Sequence, residues 1–243
     1  MFDHVGIRVS DRAASEAFYS TVLGTLGVAQ THSADWLAEW DDFALSPADE
    51  EHPLTRGLHV GFAAQSRAQV DEFWRMGTQA GYRDDGPPGP RPQYTEDYYG
   101  AFLLDPDGNS AEAVHDPGRP ASGHIDHLWI RVDDLGAAKR FYETVAPHAG
   151  LRLGTDDAER VQFQGEGGSF SLVLGTPTEH VHLAFPAEDN AAVDRFHRAV
   201  TDAGYRDNGG PGERAVYHPG YYGAFVLDPD GNNVEMVCHN RPG

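Results

Sequence analysis

Two histidines and a glutamate recur in this chain at a fixed distance, and they are the side chains best suited to chemistry. His4, His59 and Glu112 return as His127, His182 and Glu235, each 123 residues later. Two neutral imidazoles and one carboxylate make up a facial triad, which leaves open positions on a divalent ion. One negative charge from the protein leaves such an ion net positive and able to polarise an oxygen-bearing substrate. A lone histidine on a strand is more often a structural hydrogen-bond donor. Two complete sets, both falling on faces predicted to point inward, tip the balance toward metal binding.

The elements that must present these residues follow from periodicity. Phe2–Val9 alternates, with Val5, Ile7 and Val9 on one face and His4 on the other. The same alternation sets His59 opposite Leu58, Val60 and Phe62, and Glu112 opposite Ala111 and Ala113. Ser10 or Asp11 caps a helix to about Leu23, with Gly24 as its stop and Ala14, Phe18 and Val22 along one stripe. Short strands are expected within Trp36–Leu45, and a further strand over Leu58–Ala63. Ser66 caps a second helix, whose stripe is Val70, Phe73, Trp74 and Ala80, and Gly81 ends it. Strands over Tyr99–Leu104 and Ser110–His115 are joined by the turn Asp105-Pro106-Asp107-Gly108, read as a hairpin turn rather than a calcium loop. This is an α+β pattern of two βαβββ modules per half and four in the chain.

The halves are written twice. Asp3–Val9 returns as Asp126–Val132, and Ala80–Glu112 matches Ala203–Glu235 at 22 of 33 positions. The expected domains are residues 1–118 and 124–243, joined by a Pro/Gly/Ser-rich linker over 119–123. The net charge of −20 over 243 residues argues against nucleic acid and against an anionic membrane surface, since phosphate binding needs clustered positive charge. No apolar run approaches the ~20 residues that cross a bilayer. The start, Met1-Phe2-Asp3-His4, shows no export signal, so a cytoplasmic location is expected. The single cysteine, Cys238, excludes an internal disulfide and a multi-cysteine zinc site, and alternation away from Glu235 makes it a buried, inert thiol.

The paired modules and the closing stretch Tyr-Tyr-Gly-Ala-Phe-Val-Leu-Asp-Pro-Asp-Gly-Asn-Asn-Val-Glu (221–235) resemble the vicinal oxygen chelate superfamily. That group includes glyoxalase I, extradiol ring-cleaving dioxygenases, fosfomycin-resistance enzymes and bleomycin-binding resistance proteins. The resemblance covers almost the whole chain. It implies two tandem glyoxalase-like domains with cupped mixed β-sheets and a metal at the centre of each cup. Carried over within each half, the ligands are His4, His59 and Glu112 in one cup and His127, His182 and Glu235 in the other. Glyoxalase I adds an acid on the last strand of the first module. The equivalents here, Phe43–Ser46 and Phe170–Val173, hold none, which is closer to extradiol and fosfomycin-type enzymes. The implied cofactor is a divalent ion, with iron(II) or manganese(II) favoured over zinc(II) or nickel(II).

Further residues extend the site. His218 stands where the first half has Thr95 and is a candidate acid/base group, or a plain loop histidine. Extradiol enzymes carry a tyrosine near the iron, and Tyr99 and Tyr222 are the candidates, with Tyr94, Tyr98, Tyr217 and Tyr221 nearby. Arg8 and Arg131 share the inward faces of their strands and can hold a substrate carboxylate, or else pair with neighbouring acids. Trp129 stands where the first half has Gly6, so the two cups are expected to differ in volume. The leading reading is a metal-dependent glyoxalase- or dioxygenase-type enzyme that chelates vicinal oxygens of a small substrate, by ring cleavage or by lyase or isomerase chemistry. The alternative is a drug-sequestering protein of the bleomycin-resistance type, whose aromatic, acidic groove needs no metal. The expected partner is a small molecule, and the tandem chain is read as a pseudo-dimeric monomer or a homodimer.

Overall fold

The structure is a computed structural model that describes residues 1–118 and 123–240. The expected linker at 119–123, apart from Gly123, lies outside the described residues. Each module is a strand, a helix and then three strands. The first holds β1 (His4–Val9), α1 (Arg12–Thr25), β2 (His32–Ala34), β3 (Leu37–Trp40) and β4 (Phe43–Pro47). The second holds β5 (His59–Ala63), α2 (Arg67–Gln79), β6 (Arg83–Pro90), β7 (Tyr99–Leu104) and β8 (Ser110–His115). The third holds β9 (Ile125–Val132), α3 (Leu135–Val145), β10 (Arg152–Asp156), β11 (Arg160–Gly165) and β12 (Gly168–Leu174). The fourth holds β13 (His182–Pro186), α4 (Asn190–Asp202), β14 (Arg206–Glu213), β15 (Tyr222–Leu227) and β16 (Asn233–Cys238).

Side-chain caps start every helix. Asp11, Ser66, Asp134 and Asp189, each in an extended backbone conformation, accept the backbone N–H three residues on. Of the two cap candidates for α1, Asp11 is the one used. Gly24 does not stop that helix. α1 runs to Thr25, and the left-handed residue that turns the chain is Gly27, at φ 79°. The helices bury Phe18, Val22, Val70 and Phe73, as their spacing requires. Each such side chain contributes about 1.5–3 kcal/mol when fully removed from water. Trp74 stays partly buried, with its Nε1 donating to Asp84. Among the described residues, no helix is long and apolar enough to cross a membrane.

The sheets are not built half by half, and this overturns the expectation of one cup per half. One mixed sheet runs β14-β15-β16-β13-β1-β4-β3-β2, and the other runs β10-β11-β12-β9-β5-β8-β7-β6. Their central seams are antiparallel and join the halves, with His4 opposite Ala184 across β1 and β13, and Gly61 opposite His127 across β5 and β9. One sheet therefore combines the first and fourth modules, and the other the second and third. Within a half the two modules meet through helices instead, α1 against α2 and α3 against α4. The crossing connections are fastened to each other. Arg56 and Glu179 exchange backbone hydrogen bonds as an antiparallel bridge, Thr55 Oγ1 donates to the His180 carbonyl, and Thr178 Oγ1 donates to the Gly57 carbonyl.

The Asp-Pro-Asp-Gly-Asn turns act on the site through the backbone. Asp105 is buried and accepts Tyr19 Oη from α1 along with the N–H groups of Asp107 and Asn109. Asn109 Oδ1 then takes the N–H of Leu58, which fixes the chain one residue before His59. Asp228, Tyr142 and Asn232 repeat the arrangement on Val181, one residue before His182. The motif is thus a structural knot that holds each second-module histidine at the start of its strand.

Candidate metal centres

Strand exchange regroups the six predicted ligands. The centre in the β1/β13 sheet gathers His4, His182 and Glu235, and the centre in the β5/β9 sheet gathers His59, His127 and Glu112. Each keeps the predicted composition, but each takes its first-strand histidine from the opposite half. The within-half sets His4/His59/Glu112 and His127/His182/Glu235 are not brought together. The reason is the antiparallel pairing of β1 with β13 and of β9 with β5.

In the first centre His4 Nε2 lies 3.1 Å from His182 Nε2, and Glu235 Oε2 lies 3.0 Å from His182 Nε2 and 3.7 Å from His4 Nε2. In the second, His59 Nε2 lies 3.2 Å from His127 Nε2, and Glu112 Oε2 lies 3.1 Å from His59 Nε2 and 3.3 Å from His127 Nε2. Ligand bonds of about 2.0–2.2 Å at angles near 90–110° would separate donor atoms by roughly 2.8–3.6 Å, so the second set fits a single divalent ion as it stands and the first fits once the 3.7 Å His4–Glu235 pair draws slightly together.

The surrounding hydrogen bonds fit it too. His4 Nδ1 donates to Asp3 at 2.8 Å and His127 Nδ1 to Asp126 at 2.7 Å, which turns each Nε2 toward its centre. His59 Nδ1 lies 3.2 Å from Ser110 Oγ, and His182 Nδ1 lies 2.6 Å from the Asn233 amide. Tyr98 Oη donates to Glu112 Oε1 and Tyr221 Oη to Glu235 Oε1, each at 2.7 Å, so that the other carboxylate oxygen faces the imidazoles. Burial and the adjacent carboxylates push both phenols up, so they stay protonated donors.

The metal-free charge distribution is uneven. Burial pushes His127 down, but its hydrogen bonds to Asp126 and Glu112, with their charges, outweigh that and hold its pKa up at about 9. Burial pushes Glu112 up, and the hydrogen bonds from His127 and His59 overcome it and bring it down to about 2. His59 is lowered, by burial first and then by the charges of His127 and Arg131. In the first centre His4 is raised, because Asp3 and Glu235 outweigh its burial, and burial lowers His182.

Glycines make room for these contacts. A Cβ on Gly61 would lie 2.3 Å from the His127 ring, and one on Gly100 or Gly223 would lie 2.4 or 2.6 Å from the carboxylate oxygen of Glu112 or Glu235. Gly61 answers to Ala184 in the repeat, so only the second centre needs that glycine. Gly61→Ala is expected to displace His127 and cut metal affinity at the second centre by about 10–100-fold, the scale of lost ligand support. The first centre should keep its ion. Competitive metal titration, with one site weakened and one unchanged, is the check.

The other candidates fall unevenly. Tyr99 and Tyr222 are not brought to the centres. They face the helices, where their hydroxyls donate to Asp71 of α2 and Asp194 of α4. Alternation explains it, because Gly100 and Phe102 share Glu112's face and Tyr99 takes the other. The tyrosines that do reach the carboxylates are Tyr98 and Tyr221, one residue earlier and of the inward parity. His218 reaches the first centre only through intermediaries. Its Nε2 lies 2.8 Å from His239 Nδ1, and His239 Nε2 lies 2.8 Å from Asp3, which holds His4. His239, Asp3 and Asp126 were not foreseeable from charge or composition, although an aspartate directly precedes each first-strand histidine. Arg8 and Arg131 bond to the Pro47 and Gly57 carbonyls, and neither pairs with a carboxylate among the described residues. Their charges reach His182 and His59 respectively. Trp129 sits in the second cup, 6.3 Å from the His59 ring.

Comparison with known proteins gives the same architecture. The profile of the Glyoxalase/Bleomycin resistance protein/Dioxygenase superfamily matches residues 1–113 and again 124–236. The crystal structure of a V278E mutant of glyoxalase I from Zea mays superposes with a TM-score of 0.69 at 18% identity, covering 98% of this chain and 92% of that one. A candidate dioxygenase from Bacillus subtilis superposes with a TM-score of 0.66 at 14% identity, covering 100% and 86%. At these identities the likeness is one of fold. A search of curated proteins found no match to the chain.

Proposed function

Since the chain belongs to the Glyoxalase/Bleomycin resistance protein/Dioxygenase superfamily, we propose that it is a metal-dependent enzyme that binds a small substrate through two neighbouring oxygens. The observation that carries this reading is the convergence of two imidazole Nε2 atoms and one buried carboxylate oxygen in each sheet, with the outward atoms of the first histidine and of the carboxylate already engaged. His4, His182 and Glu235 would hold one ion, and His59, His127 and Glu112 the other. Such an ion, iron(II) or manganese(II) by preference, supplies Lewis-acid stabilisation of developing negative charge on substrate oxygens. The residues themselves orient and shield. Asp3 and Asp126 fix the imidazole tautomers, and Tyr98 and Tyr221 keep the carboxylates in one rotamer. Arg8 and Arg131 place positive charge at the cup walls, suited to an anionic substrate group. His239 links His218 to Asp3, which makes His218 a positioning residue for His4 rather than a group in contact with substrate. A drug-sequestering protein would have no use for carboxylates held ready in this way.

The test is metal content of untagged protein purified anaerobically, followed by oxygen uptake and absorbance screens with catechols and other vicinal dioxygen compounds. One ion per centre and turnover of such a compound are expected. Protein that cannot be loaded with iron(II), manganese(II), zinc(II) or nickel(II) would overturn the reading and favour drug-binding titrations.

A further inference from the structure

The two centres share ligands but not surroundings. Gly6 and Trp129 occupy the same place in the repeat, each on the inward face two residues beyond the first histidine. Each pairs across the central seam with the other histidine of its centre, Gly6 with His182 and Trp129 with His59. The Trp129 ring lies 6.3 Å from His59 and 5.9 Å from Tyr94, and Tyr94 packs at 4.9 Å on Tyr98, the residue that holds Glu112. The indole thus spans from the strand wall to the loop before β7, and the Arg160 guanidinium lies 5.8 Å from its ring centre. In the other cup Tyr217 packs at 4.8 Å on Tyr221 in the same way, but Gly6 offers it no ring, and Leu37 stands in the repeat place of Arg160. Exposure follows. The side chains of His4 and His182 are each 24% exposed, against 14% for His59 and 10% for His127.

We infer that the centres differ in reach. The His4–His182–Glu235 centre admits a vicinal dioxygen ligand bearing an aromatic ring, in the space that the indole fills elsewhere, while Trp129 closes the His59–His127–Glu112 centre to it. This rests on the proposed reading that both centres hold an ion able to chelate vicinal oxygens. The closed centre keeps its ligands and so still binds metal. Trp129 and Gly6 are then the specificity-determining pair.

The experiment uses full-length protein loaded with cobalt(II), its two ions confirmed by elemental analysis, and titrated with 4-nitrocatechol by absorbance. Wild type is expected to bind one equivalent of the probe tightly, and Trp129→Gly to bind two. Gly6→Trp, in protein with unchanged circular dichroism and metal content, should weaken the single equivalent by at least about tenfold. Because Trp129→Gly removes bulk, it carries the test even if Gly6→Trp fails to fold. Two equal equivalents in wild type, or one still in Trp129→Gly, overturns the inference and leaves the chelation reading standing. No probe bound with both ions present overturns the chelation reading, and this inference with it.

Discussion

Replacing His4 and His59 together by alanine is expected to abolish metal binding at both centres, whereas replacing His4 and His182 together abolishes it at one. The two double variants remove the same kinds of side chain and differ only in which sheet loses them. His4 and His182 face each other in one sheet at 3.1 Å, and His59 faces His127 in the other at 3.2 Å. Loss of a group that merely supports a ligand typically costs 10–100-fold in affinity, so loss of a ligand should exceed that. A centre left with one imidazole and one carboxylate should release its ion on dialysis. Grouping the ligands by halves of the chain gives the opposite result, with His4 and His59 sharing a site and the pair costing one ion. Elemental analysis after dialysis, with circular dichroism to confirm folding, separates the two. One ion retained by His4→Ala/His59→Ala would sink the cross-half assignment.

That experiment probes what the sequence leaves undetermined. The faces of the strands are legible, because a period of two residues with Val5, Ile7 and Val9 buried leaves His4 only one direction to point. The strand partner is not legible. Duplication makes β1 resemble β9 and β5 resemble β13, so pairing β1 with β5 or with β13 satisfies the same alternation. The choice is made at long range, where the crossing connections lock through Thr55, Thr178 and the Arg56–Glu179 bridge. The tyrosines show a finer version of the same limit. Family resemblance draws attention to aromatic hydroxyls near the ion, and Tyr98 and Tyr99 are adjacent in sequence. Only the register of β7 against β8, with Phe102 opposite Glu112, decides that Tyr98 reaches the carboxylate and Tyr99 reaches Asp71. Asp105 and Asn109 were legible as a turn, but their hold on Leu58, and through it on His59, depends on the packing of Tyr19 from α1.

Metal affinity at the second centre should rise steeply with pH, by about fiftyfold between pH 7 and pH 9, and then level off. In the metal-free protein His127 keeps its proton up to about pH 9, faced by Asp126 on one ring nitrogen and by Glu112 and His59 on the other. An ion must displace that proton before it can use Nε2. Below the pKa the apparent affinity therefore falls about tenfold, or about 1.4 kcal/mol, per pH unit. Glu112, held down at about 2, is already ionised, and His59, lowered by burial, is already neutral, so neither adds to the slope near neutrality. One proton should leave per ion at pH 7. Calorimetry with manganese(II) in buffers of different ionisation enthalpy measures that release directly, and a flat affinity between pH 7 and 9 would contradict it. Stability of the metal-free protein carries the opposite sign at the alkaline end. The raised His127 pKa stabilises the fold fully below its unfolded value near 6.5, and that contribution is lost as pH rises through about 9. Glu112 contributes above its unfolded value near 4.5, and that is lost as pH falls toward 2. The buried proton thus does in the empty centre what the ion does in the full one. It places positive charge between Glu112 and the two imidazoles, so an ion that binds as pH rises would replace one cation by another.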